Sequence, residues 1–170
     1  GISYDSVVVE TSAQSLDGFL AGRCDVLTSD VSQLASLRAA MDNPADAVVL
    51  GNVISKEPLG PVVRQGDDEW FNIVKWTLIA MIQAEESGVT RGNIDTVTTN
   101  PTVERLAGRS SQTHEYLHLS PSWSYDIIKQ VGNYGESFER NIGVNTPIGL
   151  SRGPNELWTK GGILYAPAFR

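Results

Sequence analysis

The chain has 170 residues, with 13 Lys and Arg against 20 Asp and Glu, a formal net charge of −7 and a pI near 4.7. Hydrophobic residues make up 41% of the chain, which is enough for a packed core and excludes a disordered polymer. An acidic chain is a poor candidate for nucleic-acid binding, because phosphate recognition needs clustered positive charge. No apolar run approaches the roughly 20 residues that a membrane span requires.

The first sixty residues alternate between short apolar runs and helical patterns. Thr11 and Gln14 form a T-x-x-Q capping box, and Gly22 ends the helix that follows it. Strands and helices joined by short connections are typical of a parallel, helix-covered α/β sheet. The pattern predicts strands over 6–10, 24–28 and 47–50, and a second helix over 30–41.

The segment 55–61 interrupts this alternation with Pro58 and Pro61. Each proline removes a backbone donor, so we expect an extended connector there and only a strand remnant at 62–63. A long helix is predicted to begin after Gly66 and to run to about Ser87. It is apolar in nearly every direction, and we expect the rest of the chain to supply too little cover for it.

Beyond Gly88 the sequence predicts short helical pieces separated by turns. The apolar tail at 163–167 is expected to pack down against the rest of the chain. We found no internal repeat and no low-complexity tract. The predicted helical pieces are 93–98, 102–106, 125–131, 135–141 and 154–160, with a break near Gly132.

His114-Glu115-Tyr116-Leu117-His118 matches H-E-x-x-H, in which two imidazoles on one helix face bind zinc and the glutamate serves as general base. These are the two histidines of the chain, so a third ligand would have to be a carboxylate such as Glu136 or Glu139. Pro121 would also stop the helix early. The sequence therefore favours two imidazoles in a polar connector, with no metal or other cofactor and no catalytic residue.

The segment 24–30 ends a predicted strand in Thr28-Ser29-Asp30 and leads directly into a helix. In open α/β sheets ligands collect at the carboxyl ends of strands, where Asp30 would present a carboxylate suited to an ammonium group. Asp30 and Gln33 also read as D-x-x-Q, so the same carboxylate could cap the helix. The spacing alone favours the cap.

Five segments resemble periplasmic substrate-binding proteins of general and polar L-amino-acid ABC importers. In order along nearly the whole chain they are 22–30 (GRCDVLTSD), 54–61 (ISKEPLGP), 64–68 (RQGDD), 132–143 (GNYGE to NIG) and 157–167 (LW, GG and YAP).

The resemblance implies a type II periplasmic-binding-protein fold, in which two α/β lobes joined by extended strands enclose the ligand. On that basis this chain corresponds to the C-terminal half of such a protein, and its partner would be the N-terminal first lobe of the same protein. Its parts would be residues 1–54 in the second α/β lobe, 55–59 as a hinge, 60–89 returning to the first lobe, and 90–170 as a helical C-terminal extension.

The resemblance also favours the ligand role for Asp30, which would bind the α-ammonium of an L-amino acid beside Ser29 and Thr28. The implied function is capture of amino acids in the periplasm and delivery to an ABC permease in the inner membrane, without covalent chemistry. Cys24 could have a partner in the first lobe. The alternatives are a zinc metallohydrolase using His114 and His118, and a ligand-sensing module of a receptor.

Overall fold

The structure is a computed structural model that describes residues 3–98, 100–110 and 112–168. It divides into two units, Gly1–Pro58 and Leu59–Arg170, which we call the N-terminal unit and the C-terminal unit. The expected lobe and hinge boundaries at 54, 55–59 and 89 remain predictions. No helix in the described ranges is long and apolar enough to cross a membrane.

Two helices organise the N-terminal unit. Helix α1 (Ser12–Leu20) begins with the predicted capping box, in which the Thr11 hydroxyl accepts from the Gln14 backbone N–H and the Gln14 side chain accepts from the Thr11 backbone. Helix α2 (Val31–Ala39) begins at Asp30, and a single 3₁₀ turn follows at Pro44–Asp46. Both predicted helices are therefore confirmed.

The strands predicted at 6–10, 24–28, 47–50 and 62–63 are wrong for the described residues, which form no hydrogen-bonded ladder there. The β-branched run has the composition of a strand, but a strand exists only beside a neighbouring strand about 4.8 Å away. None of these segments pairs with another in the described chain. Their side chains are accordingly exposed, as Val8, Val48 and Val62 illustrate.

The C-terminal unit is built around helix α3 (Asp68–Glu86), which contacts four shorter helices. These are α4 (Pro101–Leu106), α5 (Thr113–Leu117), α6 (Trp123–Val131) and α7 (Tyr134–Asn141). The core lies where they meet, and its fully buried members include Ala80, Ala84, Val89, Ile94, Val103, Leu106 and Ile128.

Helix α3 is buried in its second half and open in its first. Ile79, Ala80 and Ile82 lie in or near the core, whereas Trp70 and Phe71 in the first turns are about half exposed. The expectation that this chain supplies too little cover for the helix is confirmed for those first turns.

The shorter elements of the C-terminal unit follow the sequence pattern in part. Helices α4, α6 and α7 lie where helical pieces were predicted, and Gly132, with a positive φ of 91°, separates the last two. Residues 93–96 form turns instead of the helix predicted at 93–98. The predicted helix at 154–160 is two 3₁₀ turns, Gly153–Asn155 and Trp158–Lys160, because Glu156 is extended between them.

The tail at 163–167 packs down only in part. Ala166 contacts the core, but Ile163 and Tyr165 are largely exposed. The backbone of this segment is held by bonds from the Ile163 N–H to the Pro154 carbonyl and from the Leu164 N–H to the Glu156 carbonyl. The prediction of a buried apolar tail is therefore wrong for its larger side chains, since the tail is fastened through its backbone.

A buried ion pair joins the segment after α7 to helix α3. Arg152 donates two parallel hydrogen bonds of 3.0 Å to the Glu85 carboxylate, and its Nε and Nη2 also donate to the Asn155 carbonyl oxygen at 3.1 and 2.8 Å. The guanidinium lies 5.3 Å from the ring centroids of both Tyr134 and Phe138. Charge-assisted bidentate bonds of this kind are strong and geometrically specific.

The contrast between two isoleucines tests the position of the core. Ile128 is fully buried, whereas Ile163 is 72% exposed. We expect Ile128→Val to lower the free energy of unfolding by about 1 kcal/mol through the cavity that it leaves. Ile163→Val should change it by less than about 0.5 kcal/mol. Urea unfolding followed by tryptophan fluorescence measures both, and equal effects would contradict the core described above.

Candidate functional site

A pocket of about 290 Å³ lies within the N-terminal unit. It lies beside the first turns of helices α1 and α2 and the residues that lead into them. Its lining is rich in hydroxyl groups. The lining residues are Val9, Glu10, Thr11, Ser12, Ser15, Leu27, Thr28, Ser29, Gln33 and Leu37.

Gln33 holds the two helix starts together. Its Nε2 donates to the Ser12 hydroxyl at 2.8 Å, which links α2 to the first residue of α1. Its Oε1 accepts a hydrogen bond from the Ser29 hydroxyl. Ser29 therefore faces the pocket with its hydroxyl oriented by a neighbouring amide, and Thr28 lies beside it on the pocket wall.

Asp30 is the N-cap of α2, as the D-x-x-Q spacing predicted. Its Oδ1 accepts from the Gln33 backbone N–H at 2.8 Å and from the Ser32 hydroxyl at 2.5 Å. Its Oδ2 accepts no hydrogen bond within the described parts of the chain. Asp30 adjoins the pocket-lining Ser29 but is not itself among the lining residues.

Hydrogen bonding keeps this carboxylate ionised. The hydroxyl of Ser32, and after it the backbone N–H of Gln33, lower the pKa of Asp30 below its usual 3.8, and the small burial opposes them only in part. A carboxylate with one oxygen engaged in a cap and the other unengaged can bind a cation without losing the cap. The arrangement suits a small zwitterion or cation rather than a covalent reaction.

The pKa of Asp30 is itself testable. We expect its carboxyl carbon, followed by ¹³C NMR, to titrate below pH 3.8 and to move toward 3.8 in Ser32→Ala, because that substitution removes the largest stabilising hydrogen bond. Since the pKa is lower in the folded chain, the capping stability is fully present above about pH 3.9 and is lost as the pH falls through the folded value. A titration at or above 3.8 in the unmodified chain would contradict this geometry.

Sequence reasoning missed the contribution of α1 to this pocket. Thr11, Ser12 and Ser15 supply hydroxyl groups from its first turn. The signal was present, because the capping box begins directly after a predicted extended segment, where ligands of α/β folds collect. It was interpreted only as a helix start.

The H-E-x-x-H segment does not have the geometry of a zinc helix. Helix α5 ends at Leu117, and His118 is its C-cap in the left-handed conformation, with φ of 53°. His114 and His118 therefore do not share a helical face. Within the described ranges no group of three or more His, Cys, Asp or Glu side chains is placed to hold a metal ion. Cys24 is a half-buried free thiol.

Comparison with known proteins shows consistent relationships, although no protein-family model matches the chain. The chain is 51% identical over 99% of its length to YhdW of Escherichia coli strain K12, which is named as an amino-acid ABC transporter-binding protein. It covers 50% of that protein. It is 49% identical over 99% of its length to AapJ, the general L-amino acid-binding periplasmic protein of Rhizobium johnstonii, and covers 51% of it. BztA of Rhodobacter capsulatus, a glutamate/glutamine/aspartate/asparagine-binding protein, is 46% identical over the same share and is covered to 51%.

A solved structure shows the same relationship in three dimensions. An ABC transporter periplasmic binding protein from Brucella ovis, with glutathione bound, superposes with a TM-score of 0.88 at 44% identity, over 96% of this chain and 52% of that one. The chain therefore spans about half the length of the curated relatives and of the solved structure that it matches.

Proposed function

The chain is homologous over 99% of its length to periplasmic binding proteins of amino-acid ABC transporters, and we propose that it acts as part of such a protein. It would capture L-amino acids, or small derivatives of them, between two lobes in the periplasm and present them to an ABC permease in the inner membrane. The observation that carries this proposal is 46–51% identity to several binding proteins of this kind. The homologues are solute-binding proteins, so no catalytic role is proposed.

Within this protein Asp30, Ser29 and Thr28 would form the contact with the ligand. The ionised Asp30 carboxylate would accept a hydrogen bond from the α-ammonium group at Oδ2, while Oδ1 continues to cap α2. The Ser29 and Thr28 hydroxyls, which lie on the pocket wall, would accept or donate alongside it. Closure around the ligand would exclude water and strengthen the charge-assisted bond.

The other half of the ligand site would come from the first lobe of the same protein. Half the length of each relative lies outside the region that this chain matches. The exposed Val8 and Val48 of the N-terminal unit and the half-exposed Trp70 and Phe71 fit this arrangement, because exposed apolar side chains need a neighbour to cover them. Segment 55–59 would be the hinge, residues 1–54 part of the second lobe, 60–89 a return to the first lobe, and 90–170 the helical extension.

A chimera tests the proposal. We would fuse the half of AapJ that this chain does not match to residues 1–170 and titrate the product with amino acids by isothermal calorimetry. The panel would contain the four amino acids in the name of BztA and also glutathione, which is bound in the Brucella ovis structure. We expect at least one ligand to bind with a Kd on the order of 1 μM. The isolated 170-residue chain should show no measurable heat, because one half-site cannot enclose a ligand.

Intact AapJ is the matched control for the titration. A chimera that unfolds in one cooperative transition, yet binds no amino acid that AapJ binds, would overturn the proposed function. Micromolar binding by the isolated chain would overturn the requirement for a second lobe.

A further inference from the structure

A second cavity, of about 590 Å³, lies in the C-terminal unit, where the end of α3 meets the C-terminal segment. Its lining residues are Glu86, Trp158, Thr159, Tyr165 and Ala166. This cavity shares no residue with the pocket of the N-terminal unit.

Two aromatic side chains that line this cavity are largely exposed to solvent. Trp158 is 62% exposed and Tyr165 is 66% exposed, although large aromatic side chains are among the most effective at stabilising a packed core. The orientation of the Trp158 ring is set by a hydrogen bond, which its indole Nε1 donates to Glu86 Oε1 at 3.1 Å. The ring is therefore held in place beside an acidic group while most of its surface remains available.

Glu86 is a half-buried carboxylate without an ion-pair partner in the described chain. Its Oε1 accepts from the Trp158 indole and from the Ala166 backbone N–H at 3.3 Å. Among the described residues, its Oε2 accepts one hydrogen bond, from the Gln83 amide at a long distance of 3.3 Å. A negative charge held by neutral donors beside two aromatic rings attracts a cation, through the carboxylate and through the ring faces.

We propose that this cavity binds an arginine side chain presented by a partner polypeptide. A planar guanidinium can stack on Trp158 or Tyr165 while one of its N–H groups donates to Glu86 Oε2, since Oε1 already accepts two hydrogen bonds. A spherical ammonium cannot stack on a ring in this way. The openness of both rings favours a side chain carried on a larger surface, since pockets for small molecules usually enclose most of their ligand. Tryptophan, tyrosine and charged groups of this kind dominate the energetics of protein interfaces.

The test uses the 170-residue chain with ¹⁵N-labelled tryptophan and a titration with N-acetylarginine amide. We expect the indole N–H signal of Trp158, assigned through Trp158→Phe, to shift saturably with a Kd on the order of 1–10 mM. The citrulline analogue, which has the same shape without the charge, should cause no such shift. Glu86→Gln should weaken binding at least about fivefold.

The control is Glu69→Gln, which removes the same unit of charge from an exposed position in the first turn of α3 and should leave the affinity unchanged. Equal weakening by both substitutions, or no shift with the arginine probe, would overturn the site. Tighter binding of tetramethylammonium than of N-acetylarginine amide would overturn the choice of guanidinium.

Discussion

Replacing Arg152 with methionine is expected to lower the free energy of unfolding of the C-terminal unit by about 3–5 kcal/mol. The Arg152 and Glu85 side chains are only 8% and 10% exposed, so the substitution leaves a buried carboxylate without its counter-charge. The Asn155 carbonyl oxygen also loses two donors. Urea unfolding followed by tryptophan fluorescence measures the loss, since all four tryptophans lie after residue 59.

Two further variants separate burial from charge. In Arg152→Met/Glu85→Leu both charges are gone, and we expect most of the stability to return, because an apolar pair of similar volume can replace a buried ion pair. Arg109→Met breaks the pair with Glu104, in which each side chain is about one-third exposed, and should cost no more than about 1 kcal/mol. An Arg152→Met loss no larger than this would show that the buried pair does not anchor the segment after α7.

Local features of the fold could be predicted because their causes lie within a few residues of one another. The Thr11–Gln14 box and the Asp30 cap depend on side chains three positions from the groups that they satisfy. Gly132 separates α6 from α7 through its own positive φ. Each of these features depends on the residues of a single turn, so the sequence of that turn is sufficient to predict it.

Features that depend on distant contacts could not be predicted in this way. Arg152 and Glu85 are 67 positions apart, and nothing in the local sequence of either indicates the other. Gly135 shows the same limit, since an added Cβ would lie 2.8 Å from both Arg152 Nη1 and Glu85 Oε1. A side chain there would displace the paired ends of Arg152 and Glu85, a close approach that exists only once the ion pair has formed.

The strand predictions are wrong for a related reason. The run Val7-Val8-Val9 has the β-branched composition of a strand, but the structure forms no strand there. A ladder also needs a neighbouring strand, which composition does not supply. For the pocket at the same place, the sequence indicated Thr28, Ser29 and Asp30 through strand-end position, but it could not distinguish a capping role for Asp30 from a binding role.

Asp30→Asn in the AapJ chimera is expected to weaken amino-acid binding by at least about 100-fold, equivalent to roughly 3 kcal/mol, while the fold remains unchanged. Asparagine is as good an N-cap as aspartate, so the side-chain oxygen that accepts from the Gln33 N–H is kept. What is lost is the negative charge that would face the ligand ammonium. Calorimetry measures the affinity, and thermal unfolding of the same samples verifies that the cap is intact.

Ser29→Ala is the companion to this substitution, because it removes a neutral hydroxyl from the pocket wall without touching the cap. We expect it to weaken binding by about tenfold, in keeping with the smaller contribution of a neutral hydrogen bond. An affinity retained in Asp30→Asn would mean that the carboxylate serves only to begin α2. A loss of binding accompanied by a lower melting temperature would mean that asparagine had failed as a cap, and Asp30→Ser, another strong capping residue without charge, would then decide between the two roles.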